Sequence, residues 1–352
     1  MARSSDGGKT ARAVTACARA KRRRLARHFC RAASRASIKA QRSALPRAYN
    51  RGISATSAAQ EEDDDGVLLF QAHLCDTLLE LDISHCPELL LMDLPTLVTG
   101  EGWLPALQSL QRLRIGLSPM FMSALSFSHH IFPSSLQFVE LIGVEGMGTL
   151  DPLSNLSSLV TLELGCCGQD LKCQGLRSLL TTGSKLNALR VFGSPRIFAG
   201  WDPHPRLTLE DVEGEEEQQP LRVLRTDAVM GLLAAPIFSF ISSSLTELVL
   251  NGYGSQGMQR FSKDQEEALQ LLYSLQELEF WRFHKLQQLP AGPRNLTSLK
   301  ILSIYDCPAI LALPNNGLPK SLQELGVYYD CSKELNQQCR GLWGTIPRIR
   351  IG

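Results

Sequence analysis

A short leucine pattern recurs ten times along the chain and limits its fold more than any other feature. The pattern is Leu, two residues of any type, an apolar residue, one residue of any type, and a second apolar residue. The clearest copies include LLELDI from Leu78, LVTLEL from Leu159 and LQELGV from Leu322. The copies start at residues 78, 110, 136, 159, 186, 221, 245, 275, 299 and 322, at intervals of 23 to 35 residues. The copies at 136 and 221 are weaker, and the one at 221 ends in Thr226 instead of an apolar residue. Repetition at such intervals indicates one structural unit stacked many times.

Each copy of the pattern predicts a short β-strand, because apolar residues two positions apart lie on one face of a strand. The leading leucine points inward from the turn before that strand. One repeat cannot cover its own apolar face, whereas stacked neighbours cover it for each other. We therefore predict an α/β fold, a leucine-rich-repeat solenoid (horseshoe) of about ten irregular repeats with a parallel sheet on its concave side.

The charge distribution divides the chain into two segments. Residues 1–60 contain 12 Arg and 3 Lys against one acidic residue, a net charge of +14, and the remainder carries −13. Five consecutive acidic residues at 61–65 resist packing and mark a hinge. We predict a disordered Arg-rich tail with an acidic hinge over 1–66, followed by the leucine-rich-repeat domain over 67–352.

The basic tail has three interpretations. Its Arg-rich, Ser-rich and acid-poor composition fits a mitochondrial or plastid transit peptide over residues 1–54, with a processing site around Arg51 to Ser54. The cluster from Lys21 to Arg24 is instead typical of a nuclear-localisation or nucleic-acid-binding segment. The third interpretation is a disordered tail, or a gene-prediction artefact fused to an unrelated body. We expect nucleic-acid contact only from this tail.

No membrane contact and no ordinary secretion are expected from the sequence. Nowhere do 18 apolar residues follow one another, and the N-terminus has no apolar core of the kind that signal peptides need. A cytoplasmic location is predicted, with the mitochondrion, the plastid or the nucleus as alternatives that depend on the tail.

Enzymatic chemistry has little support in the sequence. Cys166, Cys167 and Cys173 cluster but lack the CxxC spacing of a zinc site. The acidic run at 210–217 falls in the longest interval between repeats and is interpreted as a surface insertion. The sequence Gly7-Gly8-Lys9-Thr10 has Arg3 where a phosphate-binding loop needs its first glycine. We expect no catalytic activity, no cofactor and no metal.

Cysteines in the predicted turns carry a family resemblance. Cys86, Cys167 and Cys307 stand three residues after the second apolar residue of a strand, where Cys or Asn bonds the backbone in this fold. Two of them open a further motif, Cys86-Pro87-Glu88-Leu89 and Cys307-Pro308-Ala309-Ile310, the second leading to Leu313-Pro314.

These motifs, with the ending from Leu322 to Ile351, resemble the C-terminal leucine-rich-repeat region of plant nucleotide-binding leucine-rich-repeat disease resistance proteins. The resemblance covers about residues 67–351. It implies a plant defence protein that senses pathogen effectors or modified host proteins. No nucleotide-binding domain stands between the tail and the repeats, so the resemblance implies a truncated or partial receptor. The alternative is a general leucine-rich-repeat adaptor or scaffold, such as the substrate-binding part of a ubiquitin ligase or an organelle-targeted protein.

Three aromatic residues form the predicted binding surface. Trp281, Tyr305 and Tyr328 occupy the same position of three consecutive strands, so stacking should place them side by side on the concave face. Asp227 holds this position in an earlier repeat and is predicted to lie in the same column of that face. Acidic residues run beside the three aromatic residues: Glu277, Glu279 and Glu324. We hypothesise that this track binds a protein ligand carrying basic and apolar groups. The alternative is that the rings only cover one another, or that the terminal segment folds over them.

Overall fold

The computed structural model describes residues 37–42, 53–55, 76–84, 104–117, 131–181, 184–201 and 221–352. They belong to one compact unit, Ala36–Gly352. They form an open sheet of 13 strands: β1 (Ser37–Arg42), β2 (Ile53–Ala55), β3 (Leu78–Ser84), β4 (Arg112–Gly116), β5 (Phe138–Ile142), β6 (Thr161–Gly165), β7 (Ala188–Phe192), β8 (Val223–Thr226), β9 (Glu247–Asn251), β10 (Glu277–Trp281), β11 (Ile301–Tyr305), β12 (Glu324–Tyr328) and β13 (Arg348–Ile351).

The eleven strands from β3 to β13 are parallel and follow one another in chain order. Each of the ten leucine patterns supplies one of the strands from β3 to β12. All ten leading leucines are buried, with at most 5 % of their surface exposed. The predicted α/β class and the parallel sheet are therefore confirmed.

Two short strands lie inside the segment that the sequence assigns to a disordered tail. β1 pairs antiparallel with both β2 and β3, and so extends the sheet beyond the repeats. The Lys21 to Arg24 cluster, the acidic hinge at 61–65 and the acidic run at 210–217 lie outside the described residues. The domain boundary at residue 66 stays a prediction.

The described connections between strands contain only short helices. The α-helices are α1 (Val229–Ala234), α2 (Ile237–Ile241), α3 (Lys263–Gln270) and α4 (Lys333–Arg340), and 3-10 turns occupy Asp151–Leu153, Gly252–Ser255 and Gly292–Asn295. α3 begins with a capping box, in which Ser262 and Gln265 each bond the other's backbone N–H. Helices α1 and α2 bury apolar side chains such as Leu232 and Phe238 against the core. The second layer of the fold is therefore packed but irregular.

A repeated turn closes most strands. The residue after the strand takes a left-handed conformation, with φ between 52° and 69°, at Leu117, Gly143, Cys166, Gly193, Arg282, Asp306 and Tyr329. Six of these residues donate their N–H to a backbone carbonyl of the next repeat, at 2.6 to 3.1 Å. These bonds join successive repeats beyond the strands themselves.

The seventh turn uses a side chain. Gly193 N–H donates to both carboxylate oxygens of Asp227, each at 3.0 Å. The chain leaves the sheet after β8 to enter α1, so the carboxylate takes the place of the usual backbone acceptor. Asp227 is only 4 % exposed. The alternation of faces along a strand predicts this residue on the solvent face, in the same column as Trp281. That prediction is wrong, because the side chain of Asp227 is turned inward to accept a hydrogen bond from the N–H of Gly193.

The turn cysteines bond the backbone as predicted. The thiol of Cys167 donates to the carbonyl of Leu141 at 3.2 Å, and that of Cys307 to the carbonyl of Tyr305 at 3.3 Å. Burial raises the pKa of each thiol to about 12. Cys86 lies outside the described residues. Cys167 thus joins its turn to the preceding repeat, whereas this bond of Cys307 closes its own turn.

Candidate functional site

The three predicted aromatic residues lie side by side on the solvent face of the sheet. Trp281 pairs with Tyr305, and Tyr305 with Tyr328, in the register of β10, β11 and β12. Their ring centroids are 4.0 Å and 4.8 Å apart, with interplanar angles of 17° and 14°. Parallel strands lie about 4.8 Å apart, which is also a suitable spacing for stacked rings. We call Trp281, Tyr305 and Tyr328 the aromatic stack.

The aromatic stack is half-buried, because each ring covers its neighbour. Gly326 leaves room for the last ring, since a Cβ there would overlap Cε2 of Tyr328. The terminal Gly352 accepts the N–H of Tyr329 and lies beside Tyr328. The rings thus pack on one another and still present part of their surface to solvent.

Sequence reasoning missed Tyr329, which widens the aromatic surface. Its ring is 6.1 Å from that of Tyr305, tilted by 38°, and the residue is 62 % exposed. Tyr329 occupies the left-handed position after β12, with φ of 63°. A bulky residue is uncommon there. The only sequence signal for it is its place directly after the last residue of the stack.

Two carboxyl groups border the aromatic stack on β10. Glu279 accepts a hydrogen bond from Nε1 of Trp281 at 2.6 Å, which fixes the indole ring relative to the strand. Burial, then the negative charges of Glu279 and Glu247, raise the pKa of Glu277 to about 7. Burial and the charge of Glu279 likewise raise the pKa of Tyr305 to about 12. Near neutral pH Glu277 therefore holds a proton for part of the time.

The third predicted carboxylate, Glu324, has a different environment. Arg348 lies 2.8 Å and Arg350 3.0 Å from its oxygens, and its side chain is only 13 % exposed. Both arginines belong to β13, the next strand. The chain itself thus neutralises Glu324, which reduces its part in the acidic border of the stack.

Glutamates elsewhere on this face are also paired with arginine. Of the seven glutamates in the described strands β3 to β13, five form a salt bridge with an arginine of an adjacent strand: Glu80 with Arg112, Glu140 with Arg114, Glu163 with Arg190, Glu247 with Arg225, and Glu324 with Arg348 and Arg350. Within the described part of the chain, Glu277 and Glu279 form no salt bridge. The sheet face therefore balances its own glutamate charge except beside the aromatic stack.

Comparison with known proteins leaves this site to be interpreted from its own geometry. No protein-family model and no curated protein matches the sequence. Among the described helices, none has both the length and the apolar composition needed to cross a bilayer. The described residues also contain no group of three His, Cys, Asp or Glu side chains placed to hold a metal ion.

Proposed function

We propose that this chain is a leucine-rich-repeat recognition domain of plant defence, part of a receptor that senses a pathogen effector or a modified host protein. The ten leucine patterns, each giving one parallel strand with a buried leading leucine, support the repeat assignment. The turn cysteines and the CPxL and CPxI motifs support the resemblance to plant disease resistance proteins. The defence role and the partner come from that resemblance.

The aromatic stack is the observation that carries the recognition function. Trp and Tyr are the residues most enriched among those that dominate binding energy at protein interfaces. Rings already held by stacking, and by the bond from Trp281 to Glu279, lose little conformational freedom when a partner binds. The stack, together with the exposed Tyr329, therefore offers a rigid apolar surface suited to a protein partner.

The test is partner capture in plant cells. The tagged full chain would be expressed in leaf cells with single pathogen effectors, and bound proteins would be identified by mass spectrometry. We expect an effector-dependent partner that the Trp281→Ala/Tyr305→Ala double variant loses. Tyr273→Ala is the matched control, because Tyr273 is an aromatic residue, 55 % exposed, outside the stack.

Two further outcomes decide the proposal. If the double variant unfolds, Tyr329→Ala takes its place, because Tyr329 is 62 % exposed and its removal leaves the stack intact; we expect weaker capture. Equal capture by the wild type and every variant contradicts recognition through this surface. Capture of the same host protein with and without effectors contradicts the defence role and favours an adaptor.

A further inference from the structure

Glu277 and Glu279, the two carboxyl groups beside the aromatic stack, form no salt bridge with a described residue, and the role inferred for them rests on the proposed function. Glu277 and Glu279 stand two residues apart on β10, so their side chains share the solvent face of the sheet. Both residues are half-buried. Partly desolvated carboxylates are costly without a counter-charge, and elsewhere on this face an arginine supplies it.

We propose that Glu277 and Glu279 bind the cationic side chain of an arginine or lysine of the partner, and that this cation replaces a proton shared by the two carboxyl groups in the free protein. The displaced proton passes to solvent. The cation then lies next to the Trp281 ring, whose Nε1 is already bonded to Glu279. The stack and the carboxylates therefore offer adjoining apolar and acidic surfaces to the partner.

The surroundings of Glu277 allow this exchange. On its own strand it hydrogen-bonds Glu279, and from β9 Glu247 adds a further negative charge, itself paired with Arg225 of β8. β11 presents Ile301, Ser303 and Tyr305 opposite β10, with no charged side chain among them. Lys300, which precedes β11, donates to Gln276 instead. The charge of Arg225 lowers the pKa of Glu277, but this arginine forms its salt bridge with Glu247, and no described basic residue forms a salt bridge with Glu277 or Glu279.

The charge balance favours an arginine or lysine side chain. A free proton and a partner cation compete for the same two carboxyl groups, so cation binding strengthens as the pH rises through the pKa of Glu277, about 7. Between about pH 6 and about pH 8 the deprotonated fraction of such a group rises from about 0.1 to about 0.9. Arginine keeps its own charge throughout this range.

The experiment compares two peptides that differ only in charge. The full chain, labelled with nitrogen-15, would be titrated with acetyl-Gly-Leu-Arg-Leu-Gly-amide and with the same peptide carrying citrulline, the uncharged analogue of arginine. We expect the arginine peptide to bind about tenfold more tightly at pH 8, a difference of about 1.4 kcal/mol. Its affinity should fall up to about tenfold at pH 6, whereas that of the citrulline peptide should not change.

Variants locate the effect. Glu277→Gln/Glu279→Gln should remove both the preference for arginine and its pH dependence. Glu80→Gln, on a distant strand and paired with Arg112, should leave both unchanged. Equal affinity for the two peptides, a pH-independent preference, or no binding of the arginine peptide overturns the cation site.

The outcome is separable from that of the proposed function. If partner capture depends on the aromatic stack but the two peptides bind alike, recognition stands and the cation site is wrong. If the arginine peptide binds as expected but no protein partner depends on the stack, the site is real and the defence function is wrong.

Discussion

The aromatic stack predicts a specific pattern of energetic coupling. Tyr305 is the central ring and makes two stacked contacts, at 4.0 Å and 4.8 Å, whereas Trp281 and Tyr328 make one each within the stack. A stacked pair contributes about 0.5 to 1.5 kcal/mol beyond the burial of its area. Tyr305→Ala should therefore lower the free energy of unfolding by about 1 to 3 kcal/mol through stacking alone.

Double-mutant cycles measure this stacking separately from other losses. The free energy of unfolding would be obtained by urea titration for the alanine variants of Trp281, Tyr305 and Tyr328, singly and in pairs. We expect a coupling of about 0.5 to 1.5 kcal/mol between Trp281 and Tyr305. Trp281 and Tyr328 flank Tyr305 on either side, so their coupling should stay within about 0.5 kcal/mol.

Tyr305→Phe is the matched control, because it keeps the ring and removes only the hydroxyl group. A cycle that starts from the Tyr305→Phe variant should give the same coupling between this ring and Trp281 as the cycle that starts from the wild type. If the coupling between Trp281 and Tyr305 is no larger than that between Trp281 and Tyr328, the rings are not stacked in solution. In that case the aromatic stack is not a rigid recognition surface.

Two further predictions concern the turns that join the repeats. Asp227→Ala should destabilise the fold by about 1 to 3 kcal/mol, because it leaves the N–H of Gly193 without its acceptor. Asp227→Asn keeps one oxygen and should cost less, and equal loss in both variants, measured by urea unfolding, would contradict the acceptor role. Iodoacetamide at about pH 8 should modify Cys167 and Cys307 far more slowly than the exposed Cys166, because both are buried with a pKa of about 12. Peptide mass spectrometry gives the rates, and similar labelling of the three thiols would contradict their burial.

The predicted part of the site follows from local periodicity. Because a strand alternates its faces every residue, the leucine pattern places Trp281, Tyr305 and Tyr328 at the same position of their strands. Stacking of repeats then brings them together, since neighbouring strands are the nearest available partners. The same periodicity places Glu277 and Glu279 on the face of the stack.

The periodicity does not show which charged side chains meet across neighbouring strands. Whether a carboxylate such as Glu324 stays available depends on which residue the next strand supplies, here Arg348 and Arg350. That strand carries no complete leucine pattern, so the sequence did not indicate the pairing.

The sequence alone determined where the strands start, which leucines are buried and which aromatic residues are neighbours, because each depends on spacing within one repeat. Only the tertiary structure decided the inward turn of Asp227, the left-handed exposed position of Tyr329 and the absence of an arginine salt bridge, among the described residues, for Glu277 and Glu279. Each of these depends on how the chain leaves a strand or on what lies across the sheet. Hydrogen bonds and salt bridges form between repeats, and the pattern of a single repeat does not show which polar side chains its neighbour supplies.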